Sequence, residues 1–465
     1  MSNAPPIRTQ RVYPTRAREQ AAASDGSPRL ILGLFENGGQ VIDTGLTMLL
    51  MTGLILNFGF GSLAILGFLA AFGALGIRAP LQAVKNIAQA WPVLLLPIIA
   101  FASVAWSHYP DITTRGAVQL LLTVVAAVVM AGRVTSRQFI AALFVACLLC
   151  CLINIAMPVS IDTPDGLAIV GIMGSKNQLA FLAGELILTA ITIACDSKHM
   201  KIIRLGALSG VVIGFGLVGV AKSAGGLVDA VSGCAIFACL VMTFKMRRNA
   251  RTFLIVAAVI LASPLVIAAP AIQKYADNFI IEVLHKDPTL TGRTYLWDRA
   301  AAISAEHPIL GLGYNAFWVQ GESDAEGLWA YAGITQRSGF NFHNQYIDVL
   351  VMLGWLGLAF FATAILYSLI GVGAESLIAP NPAGACLTAN VVVILIRTLT
   401  ESGLVLEFNW FLVIFTAAGL FAWRTVREAR LNPEAVPAPL QLRTRGGVQR
   451  DRVSRPTRAL RRMGR

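Results

Sequence analysis

Apolar residues run along this chain in blocks of roughly 17–25, long enough for a helix to cross a hydrocarbon core, and short polar breaks separate them. They fall near 41–57, 59–77, 91–106, 116–132, 138–157, 178–195, 202–220, 225–244, 253–270, 345–372, 384–399 and 404–423. Spanning β-strands would read as shorter alternating segments. In lipid the backbone has no water to bond to, so each block must pair its own polar groups as a helix. The pattern predicts an all-α, polytopic integral membrane protein with about twelve transmembrane helices. The membrane domain covers residues 40–423, with one large loop over 271–344.

Composition supports the pattern. The chain is 56% hydrophobic and 13% charged, with a mean hydropathy of +0.68. A soluble protein needs more charge to cover its surface. The formal net charge of +12 would suggest nucleic acid, but its distribution argues otherwise. Twelve basic residues lie between Arg424 and Arg465, and five more between Arg8 and Arg29. These Pro- and Arg-rich ends, residues 1–39 and 424–465, read as disordered basic tails on the cytoplasmic side that touch anionic lipid. The first residues are too polar for a secretory signal. The seven cysteines sit in or beside apolar blocks, without disulfide or zinc spacing.

Charge in the connections sets the orientation. With the N-terminus inside, cytoplasmic connections should hold the excess Lys and Arg. They carry Arg78 and Lys85, Arg133 and Arg137, Lys198, Lys201 and Arg204, then Lys245, Arg247, Arg248 and Arg251. The loop from Ala271 to Phe342 is then external, and its eight acids outweigh five bases. The external cations are Arg115, Lys176, Lys222, Arg293, Arg299, Arg337 and Arg397, with Lys274 and Lys286 early in the loop. Charge near the membrane is costly without a partner, which makes these residues functional candidates.

Three external segments are polar enough to carry chemistry. Gly174 to Gln178 opens the sixth block, where Lys176 and Asn177 at a helix N-terminus would favour an anion. The plain alternative is a capped helix start with a snorkelling lysine. Lys222 to Gly226 places a lysine among small residues, so a ligand can approach the backbone, or the segment is an ordinary turn. The long loop holds Arg293, able to grip a phosphate with two parallel hydrogen bonds. It ends in Phe342-His343-Asn344-Gln345-Tyr346, where an imidazole at a helix mouth can take a proton. Gly311 and Gly313 follow no strand and read as a turn, not a dinucleotide site. Arg397 and Glu401, one turn apart, could pair, either lining the cavity or merely neutralising each other. No carboxylate cluster or His/Cys set suggests a metal.

The segments "SVAWSHYPDITTRGAVQLL" from Ser103, "GIMGSKNQLA" from Gly171, "TLTGRTYLWDRA" from Thr289, "HPILGLGYNAF" from His307 and "FHNQYIDVLVMLGWLGL" from Phe342 occur in that order on one side of the membrane. Together they resemble the O-antigen ligase and polysaccharide polymerase superfamily of bacterial inner membranes, nearest to the succinoglycan-type exopolysaccharide polymerases. The resemblance spans roughly residues 100–360. It implies a helical membrane glycosyltransferase with short helices in its large periplasmic loop, no cofactor or metal, and inversion at the transferred sugar. The implied donor is a saccharide on undecaprenyl diphosphate. Family roles fall on Arg293 as a diphosphate-binding cation and His343 as general base. A second family cation, usually arginine, falls on Lys222, and a lysine cannot bind phosphate bidentately. Relatives often carry histidine where Ser175 stands here, which argues against an essential imidazole at that point.

The expected activity is polymerisation of lipid-linked repeat units into exopolysaccharide at the periplasmic face. His343, Arg293 and Lys222 are the expected catalytic residues. Lys176, Asn177, Asn344, Arg115, Arg337 and Arg397 are the expected substrate-binding residues, with a lesser role for Asp324 and Glu326. Expected partners are membrane lipids and other polysaccharide export and chain-length proteins, and not nucleic acid. One alternative is a ligase moving a finished glycan to lipid A core or protein. The other is a transporter or flippase of lipid-linked sugars, which would need charge along a path through the bilayer. Asp43, Glu185, Asp229, Asp348 and Glu407 lie within the blocks, but all except Glu185 are near a block end.

Overall fold

The computed structural model describes residues 38–163, 166–258, 260–261 and 291–432. The expected tails fall largely, and the first part of the large loop wholly, outside the described residues. Among the described residues, apart from one two-stranded antiparallel ribbon, the regular structure is helical. The chain runs through α1 (Gly38–Phe60), α2 (Ser62–Ile77), α3 (Pro80–Gln89), α4 (Trp91–Ala102), α5 (Pro110–Arg133) and α6 (Ser136–Ala156). The ribbon pairs β1 (Ser160–Ile161) with β2 (Ala168–Ile169). Then come α7 (Lys176–Cys195), α8 (Lys201–Ala221), α9 (Ala224–Met242) and α10 (residues 248–258). The remaining helices are α11 (Thr291–Glu306), α12 (Ser323–Tyr331), α13 (Gln345–Ile378), α14 (Pro382–Arg397) and α15 (Trp410–Leu431).

Eight helices among the described residues are long and apolar enough to cross a membrane: α1, α5, α6, α7, α8, α9, α13 and α15. A ninth span is possible if α2 and α3 count as one, but they are bent by 102°. The helices Trp91–Ala105 and Pro382–Arg397 are apolar but shorter. The expected block 253–270 lies mostly outside the described residues. The turn into α3 reflects its sequence: Pro80 cannot continue α2, and Leu81 and Val84 sit with Lys85 on an exposed amphipathic helix. Such a helix suits the interface plane better than the bilayer core. The twelfth block, expected over 404–423, forms its helix from Trp410 to Leu431. The boundary expected for the C-terminal tail at 424 therefore falls inside α15.

One end of the bundle is knitted by arginines. Asp43 accepts from Arg78 at 2.7 Å and from Arg133 at 2.5 Å, and Asp196 accepts from Arg137 at 2.6 Å. Arg424 bonds the carbonyls of Ala131 and Val134, both at 2.7 Å, which satisfies two of the free carbonyls at the C-terminal end of α5. The opposite end carries the polar segments singled out in the sequence.

Two irregular stretches enter the bundle near that end. Gly354 (φ 63°) breaks the helical conformation inside α13. The turn at 307–313 fills the break: Trp355 and Leu356 N–H donate to the carbonyls of Pro308 (2.9 Å) and Ile309 (3.1 Å), while Leu312 and Gly313 N–H donate to those of Val351 (3.0 Å) and Met352 (2.8 Å). The segment 398–409 is the second. Gln345 Oε1 accepts from Gly403 N–H (2.8 Å) and Val405 N–H (3.1 Å), and Thr123 Oγ1 accepts from Phe408 N–H (2.9 Å). Non-helical backbone packed into a helical bundle persists only where protein groups satisfy its N–H and C=O. Both stretches meet that condition. Above them, α11 and α12 pack on a small core of Leu296, Phe317, Trp329 and Phe342.

Candidate functional site

The site is built around the short polar segment after α14. Thr398 to Ser402 separates two apolar runs; the N–H groups of residues 398–401 bond back to α14, while the carbonyls of residues 398–400 and the side chains of Glu401 and Ser402 meet distant elements. Asn344 caps α13, its Oδ1 accepting from Tyr346 and Ile347 N–H, while its Nδ2 donates to Leu399 O at 3.2 Å. Gln345 N–H donates to Thr398 O at 2.9 Å. Arg293, in the first turn of α11, donates to Thr400 O at 3.2 Å. Ser402 Oγ donates to Asp348 on α13.

Glu401 is the centre. Its Oε2 lies 3.6 Å from His343 Nδ1, and its Oε1 accepts from Asn177 Nδ2 at 3.5 Å. Asn177, in turn, accepts from Ser223 Oγ at 2.8 Å through Oδ1, and Ser223 caps α9 by accepting from Gly226 N–H at 3.1 Å. Burial pushes the Glu401 carboxyl up, but the neighbouring His343 and the charges of Arg293 and Arg397 outweigh it. The carboxyl is held below the usual range. His343 has a positive φ of 52°, an uncommon conformation for a side chain with a Cβ. Its amide N–H donates to Asn341 Oδ1 at 2.8 Å, and its ring packs edge-on to Phe340. Trp297, one turn after Arg293, donates to Phe342 O at 2.8 Å and so ties α11 to the segment carrying His343.

Of the residues expected from sequence, His343, Arg293, Asn177 and Asn344 come together here. Lys176 opens α7 beside Asn177. Lys222 is the left-handed C-cap of α8 (φ 49°), next to Ser223, and its ammonium lies against Gly166 of the ribbon connection. The others are placed differently. Arg397 is buried between the rings of Phe181 (4.4 Å) and Phe411 (3.5 Å) and faces Asp229 of α9 at 3.9 Å. It makes no direct ion pair with Glu401, because stacking draws the guanidinium back into the bundle. With Glu185 and Asn390, themselves hydrogen-bonded at 3.2 Å, it lines a cavity of about 30 Å³, room for roughly one water. Arg337 pairs with Glu326 at 3.2 Å on the surface of the loop domain, and Arg299 pairs with Asp324. Those two acids are thereby committed to local ion pairs. Arg115 is exposed on α5. His108 and His307 line a separate groove of about 300 Å³ with Trp106 and Ile309. Among the described residues, no three His, Cys, Asp or Glu side chains gather as they would to hold a metal.

In the sequence Glu401 reads as a partner of Arg397 or as part of the cavity lining, and its contacts with His343 and Asn177 do not show there. The signal was the density of hydroxyl and charged residues in Arg397-Thr-Leu-Thr-Glu401-Ser between two apolar blocks.

A helical membrane protein that gathers cations, an imidazole and a carboxylate at one end is equipped to handle an anionic, membrane-borne substrate. Residues 209–362 match the O-antigen ligase family model. The chain is also 28% identical over 381 residues to "Exopolysaccharide production protein ExoQ" of Rhizobium meliloti (strain 1021), covering 80% of this chain and 86% of that protein. The chain is thus similar to O-antigen ligases over residues 209–362 and to an exopolysaccharide production protein over most of its length.

Proposed function

We propose that this chain is a membrane glycosyltransferase that polymerises undecaprenyl-diphosphate-linked repeat units into exopolysaccharide at the periplasmic face of the bacterial inner membrane. The convergence of His343 and Arg293 on the Thr398–Ser402 segment, beside Asn177 and Lys222, carries the reading. It brings a proton acceptor and phosphate-binding cations to the same end of the bundle. The printed name of the Rhizobium relative supports exopolysaccharide as the product.

In this reading Arg293, Lys222 and Lys176 hold the donor diphosphate, and Asn177 and Asn344 shape the pocket floor. An acceptor sugar hydroxyl attacks the anomeric carbon while His343 takes its proton. The bond from that carbon to the diphosphate oxygen breaks, its electron pair staying on the phosphate, and configuration inverts. Charge on the leaving diphosphate grows through the step, so cations fixed in advance stabilise the transition state more than the ground state. The base contributes a further 10²–10⁴-fold or so.

The description of the matched family model favours a second reading, ligation of a finished glycan onto lipid A core or protein. Both share the donor chemistry. Deleting the gene separates them: single repeat units on the carrier lipid support polymerisation, whereas long chains stranded there support ligation. The direct test is elongation by the purified chain in detergent, supplied with repeat units extracted from the deletion strain. A transporter could not lengthen them.

A further inference from the structure

The geometry points to Glu401 as the positioning residue for His343: its carboxylate fixes which ring nitrogen faces the acceptor and stabilises the imidazolium that forms on proton transfer. This rests on the reading of His343 as the base. Three observations support it. His343 Nδ1 is shielded from solvent and has no hydrogen-bond partner, which is costly for a ring nitrogen and rare in folded proteins. Glu401 Oε2, 3.6 Å away, is placed to meet it, and contacts of this kind commonly shorten when substrate binds. Glu401 is also fixed from behind, by Asn177 through Oε1 and by the backbone N–H of Glu401 donating to Arg397 O at 2.9 Å.

The consequence is a division of labour within the ring. With Nδ1–H turned to Glu401, Nε2 is left as the free acceptor. When Nε2 takes the acceptor proton, the imidazolium charge forms beside an anion already in place. Asp348 on α13 is the other carboxylate acting on His343, but it bonds Ser402 and accepts from Phe342 N–H at 3.4 Å. Arg293 and Arg397 act on Glu401 and keep it ionised, so it does not compete for the proton. The positive φ of His343 fits the same account, since held strain marks a ring that its surroundings aim.

The test uses the full-length chain in detergent with lipid-linked repeat units extracted from the deletion strain, comparing wild type, Glu401→Gln, Glu401→Asp, His343→Ala and the Gln–Ala double variant. Expected for Glu401→Gln is a fall in kcat of about 10²-fold or more, with the donor KM within about threefold. Glu401→Asp, which keeps the charge, should fall between wild type and Gln. In the His343→Ala background the Gln substitution should cost nothing further, because residues acting through one another are not additive. A raised KM with normal kcat would assign Glu401 to holding the cations and overturn the inference. So would equal losses for Asp and Gln, or additive losses in the double variant. Normal elongation by His343→Ala would instead sink the base reading, whereas a dead His343→Ala beside a normal Glu401→Gln sinks the positioning role alone.

Discussion

Gly354 in α13 and Ile309 in the turn before α12 meet backbone to backbone, so closely that a Cβ at position 354 would strike the Ile309 carbonyl. Gly311 stands in the reciprocal position against the backbone of Met352 and Leu353. Both glycines have positive φ, at 63° and 65°. The contact lets the turn replace helix hydrogen bonds that α13 gives up. Gly354→Ala and Gly311→Ala should each destabilise by about 3 kcal/mol or more. Gly373→Ala, further along the same helix with open space around it, should be neutral or gain up to about 1 kcal/mol. Thermal unfolding of the purified variants in detergent checks the contrast. Equal behaviour at the three positions would show that the turn does not hold α13.

His343→Ala should cut chain elongation sharply while leaving insertion and the melting temperature close to wild type, since the ring is 28% exposed and packs edge-on to Phe340. The residual rate should lie about 10²–10⁴-fold below wild type. Polymer length on gels and the melt of the same preparation measure both. Normal-length polymer would end the base assignment.

The helices were legible because lipid imposes one rule on every block, and the helical segments follow the apolar runs closely. Asn177, His343 and Asn344 were legible for a local reason: each sits where a membrane helix opens, and polar side chains there are unusual. Glu401 was not, because its meaning comes from residues 58 and 224 positions away, His343 and Asn177. Nothing in the run 345–372 announces the break at Gly354, since the compensating bonds come from the turn at 307–313. The burial of Arg397 was hidden for the converse reason. A cation at the external end of a block looks available to a ligand, but Phe181 and Phe411 close over it.

Arginines of the external face should divide by what they already hold. Arg293 spends one nitrogen on Thr400 O and makes no ion pair among the described residues. Arg293→Ala should lower kcat/KM by at least about tenfold, and Arg293→Lys should recover part of it, as charge without bidentate geometry. Arg337 is more than half exposed and paired with Glu326, an arrangement worth little to stability. Arg337→Ala should change kcat/KM by less than about threefold. Initial rates against donor concentration distinguish them, and equal losses would place Arg337 at the substrate after all.

Arg397 and Asp229 tie α14 to α9 inside the bundle, with side chains only 12% and 15% exposed. Removing one buried partner strands the other. Arg397→Ala should therefore cost about 3–5 kcal/mol and loosen the segment carrying Glu401. Asp229→Asn removes the anion but leaves Arg397 between its two rings, so it should cost less. Recovery of monodisperse protein after graded heating reads the order. Asp229→Asn behaving as badly as Arg397→Ala would mean that the ion pair, not the aromatic sandwich, holds the arginine.

The depressed carboxyl of Glu401 makes a signed prediction about pH. A group whose folded pKa lies below its unfolded value releases its proton more readily in the folded state, so folding is favoured wherever it is ionised. That contribution is complete above the unfolded value of about 4.3 and fades as pH falls through the folded one. Wild type should thus melt higher than Glu401→Gln at pH 6–7 or so, and the gap should close as pH drops below about 4.5. Melting curves of the two proteins across that range, in one detergent and at constant salt, measure the gap. A gap that widened in acid would mean that the carboxyl is held above its ordinary value. His343, Arg293 and Arg397 would then not be the groups that set its charge.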